Sequence, residues 1–216
     1  MEYILSKFSH ELRNPLTTVY STVQLIELQH PEVKDFKYWS NLASDLEYMD
    51  RLLTELSDYS KSERLQVSAF SFRALLEQIS LSFAASIATS DIEYTSKISP
   101  AIYQIIGDKT KLQEVFLNLL KNAYEASLPD KTIYLEASCD EHHIYVSIRD
   151  TGCGISKEQL PSIFDPFVTY KKNGSGLGLA ICNNIVRAHG GSISVKSTLN
   201  EGTTFHVCLP LCHKSL

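Results

Sequence analysis

His10 and Glu11 stand side by side in the stretch Phe8-Ser9-His10-Glu11-Leu12-Arg13-Asn14-Pro15-Leu16-Thr17, a pairing suited to phosphoryl chemistry. A neutral imidazole nitrogen is a nucleophile near neutral pH, and an adjacent carboxylate can fix its tautomer and accept a proton. Counting about 100° per residue, Ile4, Phe8, Leu12, Leu16, Val19, Val23 and Ile26 share one apolar stripe, and His10 lies about 160° from its centre. The imidazole is therefore expected to face solvent, with Asn14 one turn on beside it. A lone surface histidine usually carries no chemistry. One next to a carboxylate, in a chain that also holds a nucleotide-site signature, is a candidate phosphate acceptor.

Three further strings carry that signature. Asn118-Leu-Leu-Lys-Asn122 puts two asparagines on one helix face, and their neutral amide oxygens suit Mg²⁺ together with water and phosphate oxygens. Two polar residues on a wet helix face are also commonplace. Asp150-Thr-Gly152-Cys-Gly154 comes directly after a strand. A carboxylate there can accept from an exocyclic amine such as that of adenine, and the glycines let backbone pass close to a ring. A plain turn is the bland alternative. Gly174-Ser-Gly176-Leu-Gly178 opens a helix after Lys171 and Lys172, so exposed N–H groups and the helix dipole favour phosphate oxygens. It is not a P-loop, since no Gly-Lys-Ser/Thr comes after it, and no strand precedes it as a dinucleotide fingerprint requires. The order of the three strings is more telling than any one of them.

Two regions of different period must position these residues. Up to about residue 65 the chain reads as two long helices, the first ending near His30-Pro31, where proline disfavours a helical predecessor. The second repeats Trp39, Leu42, Leu46, Met49, Leu53 and Leu56, a heptad seam. A hairpin cannot shield such seams on both sides, so a second copy completing a four-helix bundle is expected. A monomeric hairpin docked on the rest of the chain is the alternative. Beyond residue 65, Ser71 is placed to cap one helix and Asp108 another. Residues 92–98, 102–106, 192–197 and 203–209 read as strands. Ile133, Leu135 and Ala137, then Ile144, Val146 and Ile148, alternate cleanly. A helix is expected over residues 176–189. Helices on one face of a mixed sheet make a two-layer α/β sandwich.

Composition narrows the setting. With a net charge of −5, no basic stripe offers itself to nucleic acid. No apolar run approaches bilayer length, and the N-terminus is not a signal peptide. Five cysteines, Cys139, Cys153, Cys182, Cys208 and Cys212, are odd in number and lack metal-ligand spacing. They read as reduced thiols of a cytoplasmic domain without membrane contact of its own. Cys153 is a small filler on this reading, and His142, His143, His189 and His206 carry no chemistry.

Together these strings resemble the core of a bacterial sensor histidine kinase over essentially the whole chain. His10 to Pro15 resembles the phosphoacceptor box, Asn118 to Asn122 the N box, and Asp150 to Gly154 the first glycine box. Ile163-Phe164-Asp165-Pro166-Phe167 resembles the F box, Gly174 to Gly178 the second glycine box, and Gly202-Thr203-Thr204-Phe205 a last one. The phrases around Asn118 and Gly176 look most like the sporulation kinases of bacilli. The resemblance implies an α+β chain: an antiparallel helical hairpin forming a dimeric four-helix bundle, then an ATP-binding sandwich of the gyrase, chaperone and histidine-kinase type. It implies residues 1–65 as dimerisation and phosphoacceptor domain and 66–216 as catalytic ATP-binding domain.

The resemblance also implies roles for the site residues. Adenine would rest on Asp150 beside Gly152 and Gly154, with Thr204 helping through water. Mg²⁺ would sit at Asn118. The phosphates of ATP would meet Asn122, Lys171, Lys172 and the loop of Gly174, Gly176, Leu177 and Gly178, with residues 165–174 as a mobile lid. Relatives of this fold that hydrolyse ATP carry a glutamate base where this chain has Asn118. An amide cannot take a proton, so the γ-phosphoryl group is left for His10. Glu11-Leu-Arg-Asn14 resembles the family's phosphatase motif, although Asn14 can equally just solvate the turn before Pro15. Many members carry a basic residue where this chain has Glu125. Glu125 is therefore expected to point away from the triphosphate, the missing charge coming from Lys121, Lys171 or Lys172. The implied partners are a second copy, the receiver domain of a response regulator, and a small inhibitory protein on the hairpin. A serine kinase or ATPase of the same fold and a non-catalytic docking module are the rivals. Met1 lies only nine residues before His10, so a fragment of a longer, membrane-anchored protein is expected.

Overall fold

The computed structural model describes residues 2–102, 104–127, 131–171 and 174–211, with the side chains of residues 2–8 and of residue 10 outside that description. It divides into two compact units, Met1–Lys61 and Ser62–Leu216.

The first unit is a hairpin of α1 (Glu2–Gln29) and α2 (Trp39–Lys61), joined through a short 3-10 turn at Pro31–Asp35. Pro31 ends α1 as expected, at the first position of that turn. Pro15 lies inside α1, which continues past it. Leu16, Val23, Leu46 and Leu53 form the buried core, with Trp39 packed against it. The indole of Trp39 donates to Glu27 Oε1 at 2.6 Å. The expected stripe proves to be two heptad rows. Leu16 and Val23 face α2, whereas Leu12 (41%) and Val19 (47%) stay exposed, as do Leu42 (40%) and Met49 (50%) on the second helix. Within one chain the hairpin buries only half of its seam.

The second unit is a mixed five-stranded sheet in the order β2-β4-β5-β7-β6, made of β2 (Glu93–Ile98), β4 (Thr132–Cys139), β5 (His143–Asp150), β6 (Ser192–Thr198) and β7 (Gly202–Pro210). Only β2 and β4 run parallel. A small ribbon pairs β1 (Ser68–Ser71) with β3 (Gln104–Gly107). Helices α3 (Phe72–Ser86), α4 (Lys109–Ala126) and α5 (Gly178–Ala188) complete the unit. Ile133, Leu135, Ala137, Ile144, Val146 and Ile148 are all buried, and so are Leu112, Phe116, Leu119 and Leu120 of α4. Period two in the strands and the helical period in α4 thus meet in one core. Phe72 and Phe116 join α3 to α4 edge to face, 5.7 Å between ring centres.

Two caps set the helices. Ser71 accepts from Ala74 N at 3.2 Å, and Asp108 Oδ1 accepts from Lys111 N at 3.0 Å. Asp108 Oδ2 also accepts from Gln66 N at 2.7 Å. The Asp108 amide in turn donates to His189 Nε2 at 2.9 Å, while His189 Nδ1 lies 2.7 Å from the Ile185 carbonyl. A ring nitrogen that accepts at Nε2 must carry its proton on Nδ1. His189 is thus a neutral bracket tying the end of α5 to the start of α4, the helix that carries both asparagines.

Candidate active site

Asp150 ends β5 and is buried. Its Oδ1 accepts from Gly152 N at 2.9 Å and Thr203 N at 3.2 Å. With both of these backbone donors on Oδ1, Oδ2 retains acceptor capacity. Burial pushes the Asp150 carboxyl above its ordinary range, and the hydrogen bonds from Gly152 and Thr203 and the charge of Lys171 offset this only in part.

The fold itself requires the glycines after Asp150. A Cβ on Gly152 would lie 2.2 Å from the Ala126 carbonyl oxygen, and one on Gly154, at φ +67°, would lie 2.0 Å from that of Thr198. These positions let the loop pass against protein backbone, at the end of α4 and at the turn between β6 and β7. Thr204 needs correction. Across β5 and β7, Asp150 pairs with Thr203 and Arg149 with Thr204. Successive side chains point to opposite faces, so Thr204 lies on the face away from Asp150. Thr203, buried and bonded to Ser197 Oγ at 2.9 Å, is the threonine beside the carboxylate. The doubled threonine hid this, because its register is set only by pairing.

On α4, Asn118 and Asn122 share a half-buried face. Asn118 donates to the Gly178 carbonyl at 3.4 Å, and its amide oxygen is a hard neutral ligand of the kind Mg²⁺ accepts. Its neighbour Cys182 is fully buried, and burial pushes that thiol far up, which makes it a packing residue. Asn122 Oδ1 accepts from Lys171 Nζ at 2.9 Å. Glu125 does not turn away from this region. It takes the same ammonium at 2.5 Å, and Lys121 stands 3.9 Å from its other oxygen. Lys172 lies outside the described residues.

Of the second glycine string only Gly178 lies in α5, as its first residue, and Gly174 to Leu177 precede the helix. Gly176 has φ +73°, and its carbonyl accepts from Phe167 N at 3.1 Å. A Cβ there would lie 2.6 Å from Phe167 C. Phe167 is itself left-handed at φ +67°, a conformation that side-chain-bearing residues hold only when their surroundings enforce it. Leu177 is buried, so it anchors the loop with its side chain and can meet a ligand only through backbone. Gly174 N donates to the Lys171 carbonyl at 3.2 Å, closing the turn that carries the lysine. The loop thus brings Lys171 to Asn122, and Gly178 to Asn118, from opposite ends.

In the hairpin, Glu11 and Asn14 are exposed on α1. The His10 backbone belongs to α1, and its side chain lies outside the described residues. Arg13 turns to α2, donating to Thr54 Oγ1 at 2.9 Å. The Asn14 carbonyl accepts from Thr18 Oγ1 at 3.2 Å. Among the described residues no group of three or more histidine, cysteine or acidic side chains is arranged to hold a metal, and no helix is long and apolar enough to cross a membrane.

Comparison with known proteins agrees with this geometry. Residues 1–65 match the His Kinase A (phospho-acceptor) domain, and residues 107–213 match the histidine kinase-, DNA gyrase B- and HSP90-like ATPase family. Sporulation kinase C of Bacillus subtilis is 32% identical over 94% of this chain and 47% of its own length. Sporulation kinase B of the same organism is 31% identical over 96% of this chain and 49% of its own. The two stand level, so the likeness is to the group and singles out neither. This chain thus spans about half the length of these two relatives. Among solved structures, full-length ShkA in complex with AMPPNP superposes with a TM-score of 0.82 at 25% identity, over 98% of this chain and 46% of that one. With a phosphoacceptor domain ahead of an ATPase-fold domain, the chain belongs to the sensor histidine kinases.

Proposed function

We propose that this chain binds ATP in its second unit, transfers the γ-phosphoryl group to His10, and hands it on to an aspartate of a response-regulator receiver domain. Residues 1–65 serve as dimerisation and phosphoacceptor domain, and 66–216 as catalytic domain. The observation that carries this reading is the combination of a buried carboxylate at the end of β5 with an amide, not a proton acceptor, at position 118. A buried carboxylate has one oxygen committed to backbone and one left to accept, and beside the glycine loop stands an amide, Asn118, in place of a proton acceptor. Such a site keeps the nucleotide intact for another nucleophile.

Each residue then has a task. Asp150 accepts the adenine amine, and Thr203 holds the carboxylate in place. Asn122, Lys171 and the 174–178 loop position the phosphates. Asn118 is a ligand for Mg²⁺, which when bound neutralises phosphate charge. Glu11 bonds the ring nitrogen of His10 that does not attack, fixing the tautomer and taking up the proton released. Asn14, one turn on, orients water for dephosphorylation of the regulator. The exposed Leu12, Val19, Leu42 and Met49 pack against a second copy to complete a four-helix bundle. The hairpin surface around His10 and Asn14 docks the regulator, and a small inhibitory protein is a further partner of the same hairpin. The longer protein is anchored in a membrane with this part on the cytoplasmic side.

Incubation with γ-labelled ATP tests the reading. Autophosphorylation gives acid-labile, base-stable label on the chain that disappears in His10→Gln. Acid-stable label would instead identify a serine kinase, free phosphate alone an ATPase, and neither a docking module without turnover.

A further inference from the structure

Lys171 and Glu125 are 46 positions apart and meet on α4 beside the candidate phosphate contacts. The Lys171 ammonium bridges Asn122 Oδ1 at 2.9 Å and Glu125 Oε2 at 2.5 Å. Asn122 and Glu125 lie three positions apart, on one face of the helix. The second Glu125 oxygen has Lys121 at 3.9 Å, so the carboxylate is the anion of a three-residue cluster. A carboxylate in this position opposes an incoming triphosphate, yet to Lys171 it offers what a phosphate oxygen would offer: an anionic acceptor next to Asn122.

We propose that Glu125 is an internal stand-in for the triphosphate, holding Lys171 over Asn122 in the nucleotide-free chain and releasing it to the phosphates on binding, so that Glu125 sets the affinity for ATP. This inference rests on the nucleotide-binding reading above. The side chains of Lys171 and Glu125 are 49% and 38% exposed, and an exposed pair is held only weakly. The lysine can therefore exchange a single carboxylate for a polyanion that carries several charges. A fully buried pair would keep it. Glu125 is a positioning residue here: it acts on the nucleotide through Lys171.

Equilibrium binding of AMPPNP and of adenosine to the full chain, E125Q, K171M and the double variant tests the exchange as a thermodynamic cycle. E125Q is expected to tighten AMPPNP about two- to five-fold, the range of an exposed ion pair, and to leave adenosine unchanged. K171M is expected to weaken AMPPNP, and to do so more in the E125Q background than in the parent, because only there does Lys171 reach phosphate without first leaving a partner. The tightening by E125Q should shrink as salt is raised. Additive effects, or weaker AMPPNP binding by E125Q, would overturn the assignment. Adenosine binding reports that each variant is folded. If the parent chain bound neither ligand, the nucleotide reading itself would fail. If it bound both and the cycle closed additively, only the role of Glu125 would fall.

Discussion

Asp150→Asn alters one atom at the centre of the proposed adenine contact, and the bonding around the carboxylate dictates its outcome. Gly152 N and Thr203 N both donate to Oδ1, at 2.9 and 3.2 Å. In the variant the amide oxygen must stay on those two donors, since turning the NH₂ toward them would oppose donor to donor. The NH₂ therefore replaces Oδ2 and faces the exocyclic amine of adenine. A hydrogen bond to a charged group contributes about 1.5–3 kcal/mol, so affinity for AMPPNP should fall between about 10- and 150-fold. Stability should not fall with it. Burial raises the pKa of Asp150, which means that the ionised form is less favourable in the fold than in the unfolded chain. Its charge costs stability at neutral pH, and the neutral amide relieves that cost. The parent chain should also lose affinity as the pH falls through the raised pKa of Asp150, beginning above the range of an ordinary aspartate, whereas Asp150→Asn should be flat there. Calorimetric titration with AMPPNP across pH, alongside urea denaturation, measures both quantities. Binding within about three-fold of the parent, or a variant that keeps the parent's pH profile, would refute the assignment of Asp150 to the amine.

The same geometry carries other expectations. Leu42→Glu places a charge in the exposed half of the hairpin seam and should weaken self-association at least about 100-fold, read by sedimentation equilibrium, with the second unit's AMPPNP binding unchanged. Gly176→Ala forces a side chain into the left-handed region, with its Cβ 2.6 Å from Phe167 C. The displaced loop should cost about ten-fold or more in AMPPNP affinity, while adenosine binding moves little. Asp108→Ala removes the cap of α4 and the partner of Gln66 N, which should cost about 1–2 kcal/mol in urea denaturation. Burial opposes ionisation of Asp108, but hydrogen bonds from Gln66, Lys111 and Thr110 outweigh it and lower the pKa. The stabilisation from Asp108 is therefore present at neutral pH and fades as the pH falls below the ordinary carboxylate range toward the lowered value.

Much of this chain was legible before any fold was known. Helix caps at Ser71 and Asp108, the break at Pro31, and the alternation of Ile133, Leu135 and Ala137 with Ile144, Val146 and Ile148 are local signals, written within a few residues of the elements they specify. The order of His10-Glu11, the two asparagines, Asp150 and the glycine strings is equally a property of the linear chain, and it pointed to phosphoryl transfer. What it could not contain is register and long-range pairing. Which threonine stands beside Asp150 depends on the pairing of β5 with β7, and a one-residue shift exchanges the faces. The parallel pairing of β2 with β4 and the antiparallel pairing of the four-residue β1 with β3 have no local mark. His189 meets the Asp108 amide across 81 positions, and Lys171 meets Glu125 across 46. Such contacts exist only once the core has brought distant segments together. The tertiary structure therefore decided where each polar atom is spent, and with it that Glu125 meets Lys171 beside Asn122.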